Sequence, residues 1–187
     1  MRKYHFFTAA LCFSVLIRSE SKAGIHENIL YYTPIDKPAA IQISAGKDTH
    51  PGARYGASTW TDKEGNYWIF GGNGYDASGN LGLLNDLWKL DSKSGEWQFV
   101  KGGKLRNQKG KYGMAGIADI NSMPGCRSYA AAWTDKDGNL ILFGGYGVDA
   151  SGNTGPLGDL WEFNLIKDCW IWIQGSDQRN QSGLYGN

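Results

Sequence analysis

The sequence predicts an all-β chain built from two copies of one four-stranded antiparallel unit. Three observations support this. The chain repeats itself without a gap at a spacing of 73 residues, and half of the positions paired between 51–114 and 124–187 are identical. No stretch carries a sustained 3.6-residue apolar period; short apolar and aromatic runs are separated by turns rich in Gly, Asn and Asp. Glycine is abundant, 27 of 187 residues, and recurs with the repeat at the ends of those runs, where turns need it.

Within one copy the elements follow in order. The first strand spans 54–61 and holds Trp60. Asp62-Lys63-Glu64-Gly65-Asn66 supplies the Gly and Asn of a tight hairpin. Tyr67-Trp68-Ile69-Phe70 forms the second strand, closed by Gly71-Gly72, and a longer polar connection is expected over 73–84. Asp86-Leu87-Trp88-Lys89-Leu90 is the third strand, and Ser92-Lys93-Ser94-Gly95 turns the chain into the fourth, Trp97-Gln98-Phe99-Val100. The second copy repeats these marks at Trp133, Phe143-Gly144-Gly145, Asp159-Leu160-Trp161 and Trp170.

Four strands with both faces apolar are the pattern of a propeller blade. A strand ending in Gly-Gly, a loop, an Asp-Leu-Trp strand and a final Trp strand together resemble the kelch repeat. The match is to the long-repeat bacterial kelch proteins called galactose-oxidase-like, and it covers 51–187. The resemblance implies a β-propeller, here two blades and therefore incomplete, in which the Gly-Gly ends and tryptophans are architecture. The 73-residue period exceeds the kelch length of ~50 residues. The excess falls in the loop after Gly-Gly and in the linker between blades. Core packing is expected for all eight tryptophans, because six occupy matched positions while Trp68 matches Ile141 and Trp172 matches Phe99.

Residues 1–23 read as a cleaved secretory leader: Arg2 and Lys3, an apolar run over 6–17, then Ser21-Lys22-Ala23. This predicts a secreted or periplasmic protein, with a lead-in over 24–50, a first blade and linker over 51–123, and a second blade with a partial linker over 124–187. Without the leader the chain has 15 bases and 17 acids, a balance with no general pull on nucleic acid or membrane. Cys12 leaves with the leader. Cys126 and Cys169 would stand at opposite ends of a blade and three strands apart, ~14 Å or more, so free thiols are expected.

Blade topology puts the loop after Gly-Gly and the inter-blade linker on one face, and binding is expected there. The candidates are Arg54 and Arg127, Tyr75, Asp76 and Asn80 with their counterparts Asp149 and Asn153, and Lys101, Lys104 and Arg106 from a linker without acids. An Arg–carboxylate tie to Asp86 and Asp159 competes with anion binding by the two arginines. The alternating oxygens of 76–80 and 149–153 resemble calcium loops but are equally what turns are made of. No nucleophile elbow, C-x-x-C or His pair is present, so no catalytic residue, metal or cofactor is expected. The function expected is a binding or scaffold module for a protein or glycan ligand. A fragment of a larger kelch carbohydrate-active enzyme, of oxidase or epimerase type, is the alternative. Self-association to complete a propeller is a further partner expectation, since a ring needs about four to eight blades.

Overall fold

The structure is a computed structural model that describes residues 20–21, 24–25 and 49–186. The chain divides into two compact units, Met1–Ala40 and Ile41–Asn187. In the first, β1 (Glu20–Ser21) pairs antiparallel with β2 (Gly24–Ile25). The leader expected over 1–23 and most of the lead-in otherwise lie outside the described residues.

The described chain is all-β, with no helix and with antiparallel sheets throughout. No helix among the described residues is long and apolar enough to cross a membrane. The first repeat contains β3 (Arg54–Tyr55), β4 (Ser58–Thr61), β5 (Tyr67–Tyr75), β6 (Leu81–Leu90) and β7 (Trp97–Lys101). Both β3 and β4 pair with β5, and the sheet continues through β6 to β7. The second repeat contains β8 (Arg127–Ser128), β9 (Ala131–Thr134), β10 (Leu140–Phe143), β11 (Tyr146–Val148), β12 (Thr154–Pro156), β13 (Leu160–Asn164) and β14 (Cys169–Gln174). Its path is the same but is cut at Gly144-Gly145 into two sheets, β9-β10-β13-β14 and β8-β11-β12.

The polar connection expected over 73–84 is instead an extension of the second and third strands. Asn73, Gly74 and Tyr75 pair with Leu83, Gly82 and Leu81, and only 76–80 turns. The glycine pair reads as loop in sequence, but it makes room for a side chain. A Cβ on Gly82 would stand 2.7 Å from Cδ of Arg106, which lies across the arm. At Gly71 the ladder slips register. Its φ of +63° suits glycine, and a Cβ would stand 2.7 Å from the Arg127 carbonyl oxygen of the other repeat.

The core is the seam between the two repeats. Trp60, Trp68, Phe70 and Leu87 meet Leu140, Leu142, Trp161, Phe163 and Trp170. Ring centroids lie 6.0 Å apart for Trp68–Phe163 and 5.1 Å for Phe70–Trp170, within the range of favourable aromatic pairs. Each such ring contributes about 1.5–3 kcal/mol by leaving water. Hydrogen bonds stitch the same seam: Trp60 Nε1 donates to the carbonyls of Trp133 (3.1 Å) and Ile141 (3.0 Å), and Ser58 Oγ donates to Ala130 O.

Core packing of the tryptophans is complete for Trp60, Trp68, Trp161 and Trp170 and partial for Trp88, Trp97 and Trp172. It fails for Trp133, which is 46% exposed while its counterpart Trp60 is 4% exposed. Phe143 and Phe70, at 47% and 1%, differ in the same way. The cause is position: the face of the first repeat that bears Trp60 and Phe70 meets the second repeat, whereas the matching face of the second leaves Trp133 and Phe143 about half exposed, with Ile141 between them buried.

Candidate functional site

The hairpin tips 76–80 and 149–153 and the segments following β7 and β14 gather at one end of the sheets. Asp76 caps its own turn, its Oδ1 accepting from the backbone N–H groups of Ser78 and Asn80. Its Oδ2 accepts from the N–H of Arg106, and the Ala77 N–H donates to Lys104 O. The second copy is the same: Asp149 Oδ1 accepts from Ser151 and Asn153, and Oδ2 from the Arg179 N–H. The Asn80 and Asn153 N–H bonds hold the Asp76 carboxyl, and, against the pull of burial, the Asp149 carboxyl, below the usual range. These oxygens serve the turn. Among the described residues no group of three or more His, Cys, Asp or Glu side chains is placed to hold a metal ion.

The two arginines proposed as anion ligands are placed inside the sheets. Arg127 and Asp159 form a buried bidentate pair at 2.7 and 2.8 Å, and Arg127 also donates to Gly125 O and Gly144 O. Trp161 Nε1 (2.7 Å) and the Tyr112 hydroxyl (2.6 Å) complete the coordination of Asp159 Oδ2. Burial alone would raise the Asp159 carboxyl, but the Arg127 guanidinium outweighs it and the carboxyl titrates below its ordinary value. Burial and then the nearby Asp159 charge push the Tyr112 phenol up. In the first repeat Arg54 pairs with Asp86 at 2.6 and 2.7 Å, and Trp88 Nε1 donates to the same carboxylate. Both pairs are therefore ties between strands, with every guanidinium nitrogen pointed into protein.

The basic linker divides by role. Arg106 pins the hairpin arm, donating from Nη1 to Leu81 O, and Arg179 occupies the same position over Gly155. Lys101 Nζ reaches across to Asp168 O at 2.9 Å. Lys104 is exposed and lies over the Phe99 ring at 5.8 Å. Of the proposed polar contacts, Asn80, Asn153, Lys104 and Arg106 are exposed, the last held by its bond to Leu81 O, and exposed Tyr75 joins them.

Sequence reading passed over a cluster of tyrosines where the first strands of the repeats meet. Tyr55 and Tyr129 are 56% and 69% exposed, with ring centroids 6.5 Å apart. Tyr129 has φ of +58° at the position matched by Gly56, and its N–H donates to Gly56 O at 2.7 Å. Its ring covers that glycine, where an added Cβ would stand 3.0 Å from it. Asn73 Nδ2 donates to the Tyr55 hydroxyl, while Asn73 Oδ1 is buried without a partner among the described residues. Exposed Tyr146 lies across the ladder from Ser128. The signal was present as a break in the repeat, since Gly56 becomes Tyr129 and Asn73 becomes Tyr146.

At the opposite end a cleft of about 700 Å³ opens between the repeats, lined by Asp62, Lys63, Trp68, Asp137, Phe163 and Asp168 among others. Two of its charged groups are engaged: Asp62 accepts from Asn66 and Trp68, and Lys63 Nζ donates to Lys136 O and Asp137 O. Cys126 and Cys169 are buried free thiols. Burial pushes Cys126 up to about 12, which keeps it protonated and unreactive near neutral pH.

No protein-family model and no curated protein matches the chain. Among solved structures it is similar to the structure of YjhT, at 20% identity and a TM-score of 0.43, over 67% of this chain and 28% of that one. The chain thus spans less than a third of the length of that solved protein.

Proposed function

We propose that this is a secreted kelch-type β-propeller segment that binds a protein or glycan ligand on its loop face, with Tyr55 and Tyr129 as the contact platform. The Gly-Gly strand ends, the Asp-Leu-Trp strands and the face-to-face packing of two tandem sheets support the propeller reading. The observation that carries the binding reading is Tyr129. A non-glycine residue in the left-handed region costs about 1–3 kcal/mol and is retained where surrounding structure and use require it. Here it holds a large ring in solvent beside a second one. Packing gains little from that arrangement, whereas a sugar face or an extended peptide gains a flat amphipathic surface with hydrogen-bonding hydroxyls.

The test combines stability and binding. Tyr129→Gly should raise stability by about 1 kcal/mol by relieving the backbone, while weakening binding about tenfold or more, as for an interface anchor. Arrays of defined oligosaccharides and of peptides supply the ligand, and urea unfolding supplies the stability. Absence of any binder on both arrays, or a binder indifferent to both Tyr129→Gly and Tyr55→Ala, would refute the reading.

A further inference from the structure

The seam between the repeats has two different sides, and among the described residues each side recurs without a matching sheet against it. The first repeat contributes Ser58, Trp60, Trp68, Phe70 and Leu87 to the seam; the same positions in the second repeat, 73 residues on, are Ala131, Trp133, Ile141, Phe143 and Leu160 on its outer face. The second repeat contributes Leu140, Leu142, Trp161 and Phe163 to the seam, with partly buried Trp172 packed against it. Their counterparts are Tyr67, Ile69, Trp88, Leu90 and Phe99, on the outer face of the first repeat. Tyr67 and Phe99 are exposed there, and Ile69, Trp88 and Leu90 are half-buried. The chain thus presents a head and a tail that are the two halves of an interface it already makes with itself.

A clasp accompanies each half. In the seam, Tyr112 arrives from the linker, packs on Trp161 and Trp172 at 4.9 and 5.2 Å, and donates its hydroxyl to Asp159. Seventy-three residues later stands Tyr185, which is 97% exposed. The receiving site also exists in duplicate: Asp86, Trp88 and Phe99 repeat Asp159, Trp161 and Trp172. Among the described residues Asp86 Oδ2 accepts from Arg54 and Trp88 only, whereas Asp159 Oδ2 accepts from Arg127, Trp161 and Tyr112. The chain's own residue 73 positions before Tyr112 is Ala39, which has no hydroxyl to offer.

We propose that copies of this chain associate head to tail, the Trp133–Phe143 face and Tyr185 of one copy docking on the Tyr67–Phe99 face and Asp86 of the next. The contact is heterologous: the step that relates repeat one to repeat two also relates repeat two of one copy to repeat one of the next, so copy to copy is that step taken twice, and it closes a ring when the blades are complete. It requires no ligand and therefore stands or falls apart from the tyrosine platform.

Light scattering on the full chain is expected to give a discrete assembly of about two to four copies, the number that supplies four to eight blades. Trp133→Glu blocks the tail and Phe99→Glu blocks the head, so each alone should be a monomer with an unchanged β-type circular dichroism spectrum. Mixed in equal amounts they should form a dimer and nothing larger, because one free head meets one free tail. Tyr185→Ala should weaken wild-type association about tenfold or more. If Phe99→Glu does not fold, Tyr67→Glu serves as the head block. A monomeric wild type overturns the proposal. So does a mixture that stays monomeric, or an assembly that survives both blocks as a symmetric dimer would.

Discussion

The two repeats share half their residues but not their environments. Asp159 and Asp86 each hold a bidentate arginine and an indole, yet only Asp159 is closed off, beneath Tyr112 and at 0% side-chain exposure against 11% for Asp86. Trp60 is sealed while Trp133 is open. Identical residues are core in one copy and surface in the other because burial in stacked sheets is supplied by the neighbour. The repeat encodes a half-interface, and the assembly decides whether it is filled.

The largest expected effect separates the two carboxylates. Asp159→Asn strands the Arg127 charge in the protein interior and should cost about 3–5 kcal/mol in urea unfolding. Asp86→Asn, nearer the surface, should cost about 1–3 kcal/mol. Equal costs would break the contrast. The pH dependence follows from the direction of the Asp159 shift. A carboxyl whose folded value is depressed contributes stability that is present above its ordinary value of 3.8 and lost as pH falls through the lower folded value. Acid unfolding should therefore steepen below about pH 3.8, and Asp159→Asn should flatten that limb.

The tryptophans give the next contrast. Trp60→Ala removes a ring from the seam and should cost about 3–5 kcal/mol, whereas Trp133→Ala should stay within about 1 kcal/mol in a dilute, unassociated chain. A large cost at Trp133 under those conditions would mean that its face is covered. A smaller effect sharpens the role of the clasp: Tyr112→Phe keeps the packing on Trp161 and loses one bond to a charged acceptor, about 1.5–3 kcal/mol. Tyr185→Phe in the dilute chain should change nothing measurable by the same denaturation.

How much of this was legible beforehand depends on the kind of residue. The tight turn at 62–66 and the Asp-Leu-Trp strands read correctly because their chemistry is local, a cap and an alternating apolar strand, whereas Gly71-Gly72, expected to close the second strand, lies inside it as a slip in register. The hairpin arms within 73–84 read as loop, since Gly74 and Gly82 look like turn residues until Arg54 is seen to crowd the first and Arg106 to lie across the second. The exposed pair Tyr55 and Tyr129 was not legible as a cluster, because Tyr129 departs from the repeat and its neighbour stands 74 positions upstream. Arg54 and Arg127 sit at the expected end of the sheet, but the carboxylates that claim them stand 32 positions downstream. Exposure of Trp133 lies beyond sequence altogether, as nothing in a residue states what will cover it.

Trp170 sits at the seam with Phe70 and Phe163 around its ring, and its Nε1–H has no acceptor among the described residues. An indole deprived of both water and a hydrogen-bond partner is a distinctive optical probe, expected to emit at shorter wavelength than the exposed Trp133. Its emission therefore reports on the docking of one sheet against the other, separately from the formation of either sheet. A refolding experiment that follows this band alongside the far-ultraviolet signal would time the two events against each other.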